Sequence, residues 1–367
     1  MAGLPRVSDS HLMRLVTTEA KRTPERAWLA EVSAVVLQQS VADLHRAYRN
    51  YFAALAEVKA ERAKGNKQAK LRVHKPKPKR RHDQSIRFTA NSRFRVLSNG
   101  RLRLPKVGDL RVRWSRELPS TPSSVTITLD GAGRYHASFV VQVQEAPLPS
   151  TPAQVGIDLG LTHFATLSTG EKVANPRWLR QRQQALRRAQ RSLSRRQKGS
   201  KNRDKQRRKV AKLHARVADA RRDFHHQLSA RLIRENQAVV AEDLNVAGLG
   251  RSNLARSIHD AGWSSFVAML EYKAALSGRR VVKIGQRHPS SQLCSACGQR
   301  SGPKGLGALK VRTWSCLACD TEHDGDVNAA LNILAAGLAV AACGPDVRPP
   351  ARVAVGVEAG TALAGAA

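Results

Sequence analysis

The sequence predicts an α+β chain of several domains, in which helices and a small β-barrel precede an α/β domain interrupted by a metal-binding ribbon. Three observations carry this. Residues 85–143 alternate apolar and polar with period two, the pattern of half-buried antiparallel strands. Two apolar runs far apart in the chain, Val155-Gly156-Ile157-Asp158 and Ala238-Val239-Val240-Ala241-Glu242, each end on a carboxylate. Two Cys-x-x-Cys pairs, Cys294/Cys297 and Cys316/Cys319, are separated by 18 residues and precede a third acidic segment, His323-Asp324-Gly325-Asp326.

Composition narrows the class further. A formal net charge of +35 over 367 residues exceeds what solubility requires, and nucleic acid is the partner that best neutralises such a field. An anionic membrane surface fits less well. No stretch of 18 apolar residues is present, and the basic runs lack a bulky apolar face opposite them. Met1 to Asp9 holds no apolar run of signal-peptide type, so a cytoplasmic, nucleoid-associated prokaryotic protein is expected. Four of the five cysteines are paired for metal rather than disulfides; Cys343, in an Ala/Gly/Val tail, reads as inert.

In chain order, Leu37, Val41, Leu44, Tyr48 and Phe52 recur at helical spacing and predict a helix over 31–52. Lys64 to Arg81 carries nine basic residues, no acidic ones and two prolines, which predicts an extended polycationic linker. Lys75, Lys77, Lys79, Arg80 and Arg81 are its candidate phosphate contacts. Asn99-Gly100 between Phe94-Val96 and Leu102-Leu104 is a hairpin signal, and Asp130 to Gly133 joins two more alternating runs. Arg87, Arg93, Arg95, Arg101, Arg103, Arg111 and Arg113 fall on alternate positions and are expected to pave one exposed face. Arg177 to Arg222 then holds 19 basic residues against Asp204 and Asp219, with two leucine/valine seams and a Gly199-Ser200 turn. Two antiparallel cationic helices satisfy this pattern, and Arg187, Arg188, Arg191, Arg195, Arg196, Lys198, Lys201, Arg207, Arg208 and Lys209 are candidate nucleic-acid contacts.

Asp158 and Glu242 end strands, and Asp326 opens a helix continued by the small residues Ala329 and Ala330. Three carboxylates from three elements suit two Mg²⁺ ions about 4 Å apart acting on a phosphodiester. Asp324 reads as the cap of the Asp326 helix, and Asp243 points away from Glu242. The four cysteines form a closed, all-thiolate zinc set with a structural role, which leaves His288 and His323 outside it. Arg287, His288, Lys304, Lys310 and Arg312 flank that ribbon and are placed to touch a strand.

These motifs together resemble the TnpB/OrfB family of transposon-encoded RNA-guided nucleases, the relatives of type V CRISPR effectors. The resemblance rests on Gly156 to Leu161, Glu242 to Asn245 with Gly248-Leu249, Ser291 to Gly298, Cys316 to Cys319 and Asp324 to Ile333, and covers roughly residues 10 to 335. It implies a RuvC-like, RNase H type nuclease domain with Asp158, Glu242 and Asp326 as catalytic, magnesium-binding residues. It also implies an oligonucleotide-binding-like β-barrel, the wedge, carrying a helical recognition insert. Its implied partners are a transposon-derived guide RNA and target DNA, with sequence read by base pairing. An aromatic content of 4% agrees, since it leaves few side chains for base stacking.

The expected organisation is a helical region with basic linker (1–83), the barrel (84–150) and the nuclease domain (151–287) with its helical hairpin (177–236). The ribbon (288–322), a last nuclease segment (323–336) and a disordered tail (337–367) follow. Two departures from the family stand out. The strand and helix that commonly precede the region of Leu12 are not seen, and Gly325 replaces an arginine often found between the two aspartates. A guided binder that does not cut and a transposase that joins DNA ends are the competing functions. The three acids argue for cutting.

Overall fold

The computed structural model describes residues 8–77, 84–286, 288–304 and 311–342 and divides into two units, one up to Val143 and one from Gln144. In the first unit, Ser8 accepts the His11 backbone N–H (3.2 Å) and starts α1, Asp9–Arg14. Short turns lead to α2, Ala34–Ala63. This helix runs longer than its apolar spacing predicts, and of that stripe only Val41 is buried; Leu44 and Phe52 face solvent.

The alternating residues form β1 (Ser85–Thr89), β2 (Arg95–Val96), β3 (Leu102–Leu104), β4 (Gly108–Leu110), β5 (Ser124–Leu129) and β6 (Tyr135–Val140). They make two antiparallel three-stranded sheets, β1-β5-β6 and β2-β3-β4, over one core. Register explains the core: Val125 opposes Phe139 and Ile127 opposes Ala137, and Phe88, Leu102 and Leu104 close on them. Asp130 fixes the β5–β6 turn, its Oδ1 accepting the N–H groups of Ala132 (2.9 Å) and Arg134 (2.8 Å).

Splitting into two sheets undoes the expected arginine-paved face. Arg95 and Arg103 are cross-strand partners on the small sheet, whereas Arg87 lies on the other sheet and pairs with Asp43 (3.6 Å). Arg93 sits in a left-handed turn, and Arg111 and Arg113 fall past the end of β4.

The second unit is built on a five-stranded sheet of β7 (Gln154–Asp158), β8 (His163–Leu167), β9 (Lys172–Ala174), β10 (Ala238–Glu242) and β11 (Arg280–Ile284). Its order is β11-β10-β7-β8-β9; β11, β10 and β7 run parallel, and β8 and β9 antiparallel to their neighbours. Between β9 and β10 come α3 (Trp178–Ser194) and α4 (Lys201–Glu235), with Ser200 capping α4 and Gly199 in the left-handed region, as the Gly-Ser turn predicts. The short α5 (Val246–Leu249), then α6 (Ala255–Ala261) and α7 (Trp263–Leu276), precede β11. The ribbon strands β12 (Thr313–Ser315) and β13 (Glu322–Asp324) pair antiparallel and lead into α8, Gly325–Ala342.

Because side chains alternate along a strand, β7 and β10 bury both faces. Val155, Ile157 and Val239 face the cluster built with Leu228 and Leu232 of α4 and Phe266 and Leu270 of α7. Val240 and Ile284 face Ile333 of α8. Gly156, the register partner of Val240, lies beneath α8: an added Cβ would collide with the backbone at Ala330 and Leu334. Gly337 repeats the device from the helix side, where a Cβ would strike Val240. The helix continues to Ala342, past the boundary expected at 336, and Gly337, just beyond that boundary, still lies against Val240. Arg287, Lys310, Cys343, Lys79, Arg80, Arg81 and the tail beyond Ala342 lie outside the described residues.

His225 is a buried member of the α4 face, its Nε2 donating to the Ala261 carbonyl (2.9 Å) and its ring against Phe164. Burial drives its pKa down to about 4 from the ordinary 6.5. A histidine depressed in the folded state keeps its full contribution above the unfolded value and loses it as pH falls. At about 1.4 kcal/mol per tenfold change in proton affinity, His225 removes about 3 kcal/mol between pH 6.5 and 4. Denaturant titrations should show this loss in the wild type and a much weaker one in His225→Gln. Gly156→Ala should cost roughly 1–3 kcal/mol by overpacking, read as a lower denaturation midpoint with the slope unchanged.

Candidate functional site

Parallel pairing of β7 and β10 sets their carboxyl ends side by side, so Asp158 and Glu242 leave the sheet at the same edge. Asp326 comes from the first turn of α8. Asp324 caps that helix through its Oδ1, which accepts the Val327 N–H (3.1 Å), and its Oδ2 pairs with Lys172 Nζ (2.5 Å), the structural role its spacing suggests.

The three acids feel one another. Burial, then the negative charges of Glu242 and Asp326, push the Asp158 carboxyl up to about 7, and Arg312 partly opposes this. Arg312 Nη1 donates to the Asp326 oxygens (3.2 and 3.4 Å) and its Nη2 to Thr162 Oγ1 (2.9 Å). His163 Nδ1 lies 3.7 Å from Asp326 Oδ2, and Ser290 Oγ donates to Glu242 Oε1 (2.5 Å). A cluster of acids with so little compensation is costly as it stands, and its oxygen-only donors are those that hard divalent cations select.

The cysteines converge more tightly. All four Sγ atoms lie within 4.8 Å of one another, with Cys294–Cys319 at 3.7 Å and Cys297–Cys316 at 3.6 Å. A tetrahedral site with Zn–S bonds of about 2.3 Å needs sulfurs about 3.8 Å apart, so the set fits zinc. Among the described residues these four are the group of His, Cys, Asp or Glu side chains poised around a single point. His323 approaches as a neighbour of a ligand: its Nε2 lies 3.0 Å from Cys294 Sγ, and its ring rests against Trp314.

Ribbon and acids are tied through α8. Asn328 Oδ1 accepts the Ser295 N–H (2.8 Å) and its Nδ2 donates to Leu293 O (2.7 Å); Asn332 Nδ2 donates to the carbonyls of Ser290 and Leu293 (2.8 Å each). Both amides are buried. Sequence reasoning passed over Asn328, Asn332, Ser290, Thr162 and His163. The signal available was the four-residue spacing of two asparagines on one helix face, directly after the acid.

The cationic candidates are surface residues. Lys75 and Lys77 are exposed in an extended segment, and Arg187, Arg188, Arg191, Arg195, Arg196, Lys198, Lys201, Arg207, Arg208 and Lys209 are exposed on and between α3 and α4. Arg188, Arg191, Arg195 and Arg196 line a concavity of about 510 Å³. Arg207 pairs with Asp204 (3.3 Å).

Residues 138–253 match the OrfB_IS605 family, described as "Probable transposase", and residues 263–333 match the Cas12f1-like TNB domain. A Streptomyces pristinaespiralis protein called "Putative RNA-guided DNA endonuclease" is 47% identical over 336 residues, spanning 90% of this chain and 78% of the relative. An Escherichia coli K12 relative, InsQ, whose name carries the same description, is 32% identical across 90% of this chain and 81% of its own length. Among solved structures, a Cas12f1–sgRNA–target DNA complex aligns with 89% of this chain and 92% of its own, at a TM-score of 0.38 and 13% identity.

Replacing a single ribbon sulfur should show the role of that set. In structural zinc sites on the order of 10 kcal/mol of metal binding is folding energy. Cys316→Ser is therefore expected to lower bound zinc, by elemental analysis, together with the melting temperature; full zinc occupancy in the variant would contradict the ribbon.

Proposed function

The chain belongs to the TnpB/OrfB family, and from that premise we propose that it is an RNA-guided DNA endonuclease encoded by an insertion sequence. The observation that carries this reading is that Asp158 and Glu242 leave neighbouring parallel strands at one sheet edge, with Asp326 near enough on α8 to add, after burial, to the raised proton affinity of Asp158. The strand order β11-β10-β7-β8-β9, with acids at the ends of its two central parallel strands and on the helix covering them, supports a RuvC-like, RNase H type domain.

In this reading the three carboxylates hold Mg²⁺, which when bound supplies Lewis acidity toward a phosphodiester. The protein's own part is placement. Ser290 orients Glu242, Arg312 and Thr162 hold Asp326 beside the β7–β8 turn, and Asn328 and Asn332 fix the helix against the ribbon. The sulfur set holds zinc, which braces the first cysteine knuckle and leaves no open position for chemistry. A guide RNA derived from the transposon end is gripped by the cationic surfaces of α3 and α4 and by the first unit, read as the wedge barrel with its helical insert. Target DNA is then chosen by pairing with that RNA. No helix among the described residues is long and apolar enough to cross a membrane.

All three acids are present, which favours cutting over guided binding alone. Alanine at Asp158, Glu242 or Asp326 should reduce cleavage of a matched plasmid by more than the roughly 10- to 100-fold that loss of an outer partner costs. Affinity for the copurified RNA should stay near wild type. A variant that cuts normally would remove that residue from the site, and a wild-type particle that binds matched DNA with Mg²⁺ yet never nicks it would overturn the nuclease reading.

A further inference from the structure

The start of α3 and the neighbouring α6 enclose a pocket of about 310 Å³ whose wall carries Arg177, Arg180 and Arg256 with Asn175, Gln183 and Asp260. The carboxylate in that wall is already engaged: the Asp260 oxygens accept the Leu179 N–H (3.1 and 3.0 Å), where they cap α3. The Arg177 and Arg256 guanidiniums instead share neutral acceptors with other donors. With the Gln183 amide turned so that its oxygen faces them, it accepts from Arg187 Nε (3.2 Å) and Nη2 (2.6 Å) and from Arg256 Nη1 (3.3 Å). Arg177 Nη2 donates to the Leu161 carbonyl (3.2 Å), which also receives Asn175 Nδ2 (3.0 Å). Arg177 adopts a left-handed backbone (φ 50°), unusual for a residue other than glycine, to make that reach.

Like charges gathered on one neutral oxygen repel, and an anion entering the pocket would relieve that repulsion. Guanidinium forks match the paired oxygens of a phosphate. Placement narrows the choice of anion. α3 is 17 residues long, about 25 Å, and carries the Arg188, Arg191, Arg195 and Arg196 concavity towards its far end. That length matches the rise of about seven base pairs at about 3.4 Å each. The pocket wall at Leu161 belongs to the β7–β8 turn, which also supplies Thr162 to the Asp326 cluster just before His163 opens β8 beside it.

We infer that this pocket seats a backbone phosphate of a nucleic-acid strand running along α3, and that Arg177, Arg180 and Arg256 are its ligands. The assignment rests on the nucleic-acid reading above, though not on cutting. Guide RNA and target DNA offer the same phosphodiester, so binding is measured for each: RNA-stripped full-length protein with its copurifying RNA, and the reconstituted particle with matched DNA, across a salt series. Arg256→Gln should weaken one arm about three- to tenfold and lower its log–log salt slope by about one, while Arg256→Lys restores the slope. The arm that changes identifies the strand. Arg180→Gln, an exposed change on α3, makes the same test if Arg256→Gln lowers the melting temperature. Unchanged affinity and slope in both arms, with the fold intact, would overturn the assignment. A wild type that binds both partners yet never cuts would overturn only the nuclease reading.

Discussion

The seating of α8 on the bare backbone of β7 is the contact on which the candidate site depends. Gly156 and Gly337 let helix and sheet approach until Val240, Ile284 and Ile333 close around them. At that separation the first turn of α8 reaches the edge where Asp158 and Glu242 emerge. A side chain at either glycine would lift the helix and carry Asp326 away from its partners. The acids therefore owe their proximity to residues with no functional groups, and the small side chains of Ala329 and Ala330 belong to the same requirement.

Electrostatics divides the molecule sharply. A chain with 63 lysines and arginines against 28 acidic residues gathers three carboxylates together, with Arg312 as the basic side chain joined to the group by hydrogen bonds. Repulsion among the three would open the edge unless the elements bearing them were held independently. Asn328 and Asn332 do this with neutral hydrogen bonds, which add no charge to the cluster and anchor α8 to the cysteine knuckle. The ribbon thereby becomes part of the support of the acids, and its insertion just before Asp326 has a mechanical reason.

Much of this was legible in the sequence where function forces unusual residues together. A carboxylate ending an apolar run is by itself as often a turn former as a ligand, but its order and spacing with the paired cysteines and the Gly-Ser turn between cationic seams are distinctive together, and the structure places all of these elements. Helix α2 was harder to read, because periodicity reports amphipathicity and says nothing of whether the stripe is covered; Leu44 and Phe52 lie open. The arginine-paved face failed because alternation holds within one sheet, and a chain that splits its strands between two sheets breaks it. Asn328 and Asn332 were overlooked because an asparagine on a helix gives no sign of its partner, which lies more than thirty residues away.

The glycine contact also orders events in time. Gly156 and Gly337 are separated by about half the chain, so during synthesis the β7 strand emerges long before the helix that covers it. Until the ribosome has released the cysteine knuckles and α8, Asp158 and Glu242 lack their third partner and the sheet face above Gly156 stays open. Such high-separation contacts form late and slowly. A nascent or prematurely terminated chain therefore presents Val240 and Ile284 without Ile333 to cover them.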